Sequence, residues 1–145
     1  MKQWYIEFQY DDNGRGVLKL HNDSLMPIEV PARSGSVKKG GGLVNAIYPG
    51  VWSIHDDPEI TVEKGMVWEG DIGWKVRLYT PKGNKSHYLI HPDGDGKGWG
   101  HKGNGTAGCI GLQGDGLLLK DRLHLILNKQ TKILVYVNIP IPKEA

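Results

Sequence analysis

The sequence predicts a β-rich α+β fold with one main helix, on three observations. Short runs of aromatic and β-branched residues are separated by Gly, Pro, Asn and Asp turn signals. Glycine supplies 21 of 145 residues without a period, about twice its usual share of roughly 7%, as many tight turns require. A single stretch, Leu117 to Asn128, spaces its apolar residues as a helix does.

Trp4 to Tyr10 reads as a strand, Asp11-Asp12-Asn13-Gly14 as a turn, and Gly16 to His21 as the returning strand, so the chain opens on a hairpin. A third strand is expected from Met26 to Ala32. Its Pro27 and Pro31 lack backbone donors, which suits a sheet edge, and Arg33-Ser34-Gly35 ends it. Residues 34–45, rich in Gly, Ser and Lys, read as a mobile loop rather than a domain linker. Tyr48-Pro49-Gly50 is a turn, Val51 to His55 a short strand, and residues 56–72 look irregular. Trp74 to Tyr79 alternates and stops at the turn Pro81-Lys82-Gly83-Asn84, and Ser86 to Ile90 is the next strand. Residues 92–108 form a long glycine-rich loop, and unstructured loops of that length are usually functional or disordered. In the helix, Leu117, Leu118, Leu119, Leu123, Ile126 and Leu127 recur near helical spacing, with Asp115 as the expected N-cap. Thr131 to Ile139 is the last strand. There is no internal repeat and no low-complexity segment.

The length fits a single domain, residues 1–145, able to bury about two-thirds of its unfolded surface. The net charge of +2 is too small to argue for nucleic acid or an anionic membrane as partner. No window approaches the roughly 18 consecutive apolar residues of a membrane span. The opening Met1-Lys2-Gln3-Trp4-Tyr5-Ile6-Glu7 has neither an apolar core nor a cleavage site. Synthesis in the cytoplasm without a signal peptide is therefore expected. One cysteine excludes an intramolecular disulfide and any metal site built on several thiolates.

That cysteine, Cys109, sits in the glycine-rich turn Asn104-Gly105-Thr106-Ala107-Gly108-Cys109-Ile110-Gly111, eighteen residues after His91 at the end of an apolar run. A thiol attacks as thiolate, and an imidazole within reach takes its proton. Backbone N–H groups of a tight glycine turn supply donors to an oxyanion. The bland alternatives are a small buried thiol at Cys109 and a strand-end donor at His91. The conjunction favours a nucleophile and its base.

His91 and the run Thr106-Ala107-Gly108-Cys109-Ile110 resemble the signature of the L,D-transpeptidase catalytic domain (YkuD-like) family. That signature is a strand-end histidine, a glycine-rich loop, then Ser/Thr-x-Gly-Cys and an aliphatic residue. The opening hairpin, Ala32-Arg33-Ser34-Gly35, Pro49-Gly50-Val51-Trp52-Ser53-Ile54 and the helix after the cysteine extend the likeness over most of residues 4–139. The resemblance implies a mixed β-sandwich or barrel with one main helix after the catalytic cysteine. It implies Cys109 as nucleophile, His91 as base, the N–H groups of Gly108 and Cys109 as oxyanion donors, and Thr106 shaping the turn. Trp99, His101 and Asn104 would line the substrate cleft. The chain departs from the family at two substrate-side positions. Ala107 stands where many members have His, and Gly111 where many have Arg or Asn.

The implied activity is acyl transfer on peptidoglycan stem peptides through a thioester, as an L,D-carboxypeptidase, transpeptidase or D-amino-acid exchanger, with no cofactor and no metal. Without a signal peptide the chain resembles toxin members delivered between bacteria, with an immunity protein or secretion machinery as partners and the periplasm or cell wall as site of action. A phage-encoded lysis enzyme fits the same features. The alternatives are a non-catalytic cell-wall binding module on the same fold, or a cysteine hydrolase of another amide or ester. A zinc site from His91, His101 and Cys109, and a cation at Asp93 and Asp95, are lesser readings. His21, His55, His87 and His124 are read as solvated or core residues. A papain-like order, with His124 following Cys109, is weaker because His124 falls on the helix.

Overall fold

Asp11 closes the first hairpin by chemistry local to the turn. Its Oδ1 accepts from the N–H of Asn13 (2.8 Å) and Arg15 (3.1 Å), and its carbonyl from Gly14, which has a φ of 78°. The turn joins β1 (Tyr5–Tyr10) to β2 (Arg15–His21). The computed structural model describes residues 3–22, 25–63, 65–68, 73–93 and 108–142. Further strands are β3 (Ile28–Ser34), β4 (Ser36–Val37), β5 (Leu43–Val44), β6 (Gly50–Ile54), β7 (Glu59–Thr61), β8 (Gly73–Tyr79), β9 (Lys85–Pro92), β10 (Ile110–Leu112) and β11 (Ile133–Val137). Helix α1 (Leu117–Leu127) lies between the last two.

The main sheet runs β6-β11-β1-β2-β3-β10-β9-β8 and returns to β6 through Ser53 and Tyr79, which makes an eight-stranded barrel. β7 adds to it beyond β8, and β4 and β5 form a separate small hairpin. The pairs β1–β11 and β9–β10 are parallel; the other pairs are antiparallel. A β-rich α+β fold is thus what the sequence patterns produce.

Period-two alternation fills the barrel. Ile6 and Phe8, Leu18 and Leu20, Trp74, Val76 and Leu78, and Ile133, Val135 and Val137 all point inward and are buried. Leu119, Leu123 and Ile126 of α1, three and four residues apart, join the same core. Each such side chain contributes roughly 1.5–3 kcal/mol by leaving water. Among the described residues, no helix is long and apolar enough to cross a membrane.

Four expectations are corrected. β3 is not an edge: it lies between β2 and β10. Pro31 is tolerated because its N and O face the end of β10, where its carbonyl accepts from Gln113 N (2.8 Å) just past the last β10 residue. Residues 34–45 contain the β4–β5 hairpin, closed by Lys38 and Gly42. Residues 56–72 contain β7, paired with β8 through Ile60 and Trp74. The N-cap of α1 is Gly116, with a left-handed φ of 62°, rather than Asp115. Asp115 sits one residue earlier, where its Oδ1 accepts from Leu117 N (3.2 Å) and its carbonyl from the indole of Trp74 (2.6 Å).

Candidate active site

Tyr88-Leu89-Ile90-His91 lies in β9, and alternation decides the fate of each side chain. Ile90 enters the core against Val76 and Ile110, its partners on β8 and β10. Leu89 and His91 therefore face outward. Gly111 is the partner of His91, and Cys109 stands two residues before it, just outside β10. The Leu89 N–H reaches the Cys109 sulfur at 3.4 Å.

His91 is 6% exposed, and its Nδ1 lies 2.5 Å from the carbonyl oxygen of Pro92. A carbonyl can only accept, so the proton is on Nδ1 and the Nε2 lone pair is the basic one. Burial pushes the imidazole below its ordinary range, opposed by the Pro92 bond and by Glu63. Glu63 is itself held by Lys75, whose ammonium also faces Glu59 (3.6 Å).

Cys109 is half-buried. Burial raises its thiol above the ordinary range. The Leu89 N–H acts against this, Asp93 reinforces it, and Arg77 opposes it. Both shifts favour the neutral thiol and the neutral imidazole over an ion pair. A neutral thiol and a neutral imidazole within reach of each other can act by general base catalysis, the proton leaving sulfur as the new bond forms.

Gly108, just before the cysteine, has a φ of 101° and is buried. That conformation suits glycine. Beside Leu89 a polar cleft of about 210 Å³ is lined by Arg77, Lys75, Lys85, Asp56, Asp57 and Glu59, among others. Larger clefts of about 430 and 250 Å³ surround Trp4 and share no lining residue with His91 or Cys109. The chemistry, not the cavity size, marks the site.

Of the residues singled out in the sequence, the register pairs His91 with Gly111, and Cys109 Sγ meets the N–H of Leu89, two residues before His91. Trp99, His101, Asn104, Thr106 and Ala107 lie outside the described residues, as does Asp95. Among the described residues no group of three or more His, Cys, Asp or Glu gathers to hold a metal. His21 meets Glu7 (3.2 Å), His55 meets Ser53 (2.8 Å), His124 meets Asp57 (3.1 Å), and His87 is exposed. Sequence reasoning missed the Pro92 carbonyl, Arg33 and Tyr88, because cross-strand register and backbone direction leave no local signal. No family model, curated protein or solved structure matches the chain.

Proposed function

We propose that the protein is a cysteine acyl-transfer enzyme of L,D-transpeptidase (YkuD-like) type, acting on peptidoglycan stem peptides. The observation that carries this reading is the Nδ1–H bond of His91 to Pro92, which leaves the Nε2 lone pair as the base two residues along β9 from the Leu89 N–H that meets Cys109. The motif from Thr106 to Ile110 supplies the family and the substrate class.

In the proposed reaction the Cys109 sulfur bonds to the carbonyl carbon before the terminal D-alanine while its proton passes to His91 Nε2. The N–H groups of Gly108 and Cys109 receive the oxyanion. The imidazolium then gives the proton to the leaving amine, D-alanine departs, and a thioester remains on Cys109. Water, a D-amino acid or the amine of a second stem peptide attacks the thioester and frees the thiol. Gly111 and Ala107, both small, favour hydrolysis or exchange. The place of action would be the periplasm or cell wall, reached by delivery as an antibacterial effector or by phage lysis. Purified protein should shorten tetrapeptide muropeptides, and Cys109→Ala should abolish this. Folded wild-type protein that leaves muropeptide masses unchanged would refute the reading.

A second reading is favoured by one observation, the upward push on a half-buried thiol. It is a non-catalytic cell-wall binding module on the same fold. It predicts peptidoglycan sedimentation that survives Cys109→Ala, with no change in the muropeptides.

A further inference from the structure

On the outer face of the barrel, Arg33, Gly111 and His91 stand in one row across β3, β10 and β9, each the partner of the next. Glycine leaves the middle of the row without a side chain. Asp93 fills that space: a Cβ placed on Gly111 would fall 2.6 Å from Asp93 Cβ and 2.9 Å from its Oδ2. The φ of Gly111 is not left-handed, so this close approach, not backbone conformation, is what requires glycine there. Asp93 is anchored by its own N–H, which donates to Leu112 O (2.9 Å). It is 3% exposed and Arg33 4%. Burial pushes the Arg33 guanidinium below its ordinary range and Arg15 adds to this, while the charge of Asp93 acts against it. Removing one half of such a pair strands the other in a dry site.

We infer that Asp93 is a positioning residue. Seated in the gap at Gly111 and facing Arg33, it fixes the end of β9 two residues beyond His91 and so holds the imidazole against Cys109. This rests on Cys109 being a nucleophile served by His91. It also gives the departure at Gly111 a physical reason: a larger residue there and Asp93 compete for one space.

Iodoacetamide alkylation tests the inference without any cell-wall substrate, because Cys109 is the single thiol of the chain. The readout is the alkylation rate against pH, followed by mass in the full chain, with melting temperature as the fold control. The His91 contribution is the rate of a protein divided by that of the same protein carrying His91→Ala. Asp93→Asn keeps the shape and drops the charge; Gly111→Ala pushes on the carboxylate. Each should lower the His91 contribution about tenfold or more, as loss of alignment does. Arg33→Lys should retain more of the contribution than Arg33→Met. Folded Asp93→Asn with the wild-type ratio and pH profile would overturn the inference, even if its melting temperature fell. Should that variant not fold, Gly111→Ala and Arg33→Lys decide by the same rule. A wild-type ratio near one removes the His91–Cys109 dyad itself, a separate failure that takes this inference with it.

Discussion

Tyr88 lies where a side chain at Gly108 would go: a Cβ built on Gly108 falls 2.3 Å from Tyr88 Cε1 and 2.4 Å from its Cζ. The ring also packs on Trp52, with centroids 5.6 Å apart, so it cannot simply retreat. The turn before Cys109 is thus shaped from beneath by a strand side chain. Gly108→Ala should slow Cys109 alkylation and abolish muropeptide processing. Its stability should fall by about 2 kcal/mol or more, from the left-handed φ plus the clash. Adding Tyr88→Ala relieves the clash but not the backbone strain. Urea unfolding of the two variants separates the contributions.

His91 should make the fold acid-sensitive. Its folded pKa lies below the unfolded value near about 6.5, so the unfolded chain binds the proton first. The contribution to stability is full above about pH 6.5 and is lost as pH falls toward the lowered folded value. Urea unfolding at pH 7.5 and pH 5 should show a smaller acid loss in His91→Gln than in wild type. An equal loss in both would show that His91 is not the group responsible.

Cys109 should behave in the opposite sense at high pH. Its folded pKa is raised, so the folded state keeps the proton that the unfolded chain releases near about pH 8.5. Stability therefore falls as pH rises above about 8.5, and Cys109→Ser should remove that fall. Alkylation of wild type should climb only above the same pH. A midpoint well below it would mean a preformed thiolate–imidazolium pair.

Trp74 links the barrel to the helix that follows the site. Its buried indole donates to Asp115 O (2.6 Å), and its ring lies 3.1 Å from where a Cβ on Gly116 would stand. Trp74→Phe should cost about 2 kcal/mol through the lost bond and volume. Gly116→Ala should cost about 1–2 kcal/mol through its left-handed φ. The two sites touch, so the double variant should be non-additive in urea unfolding.

The first hairpin, β6, β8 and α1 were legible within one or two residues because their signals are local. Asp11 carries its own turn chemistry, and the leucines of α1 carry their own period. β7 and β10 were not legible. Each is three residues long, too short for a period, and exists because β8 or the β3–β9 gap offers backbone partners. Two prolines without donors point β3 to an edge; only the position of Gln113 shows that Pro31 needs none on that side.

The sequence by itself determined the chemistry available: one thiol, a strand-end imidazole, a glycine turn, and alternation enough for a β-rich fold. Tertiary structure decided where those groups stand. The parallel register of β9 and β10 sets Gly111 beside His91 and brings the Cys109 sulfur to the Leu89 N–H. The Pro92 carbonyl decides which nitrogen of His91 is basic. The gap at Gly111 decides where Asp93 and Arg33 sit. The physical reason is the same in each case. Side-chain identity is written residue by residue, whereas cross-strand pairing, burial and backbone direction arise only once distant strands share hydrogen bonds.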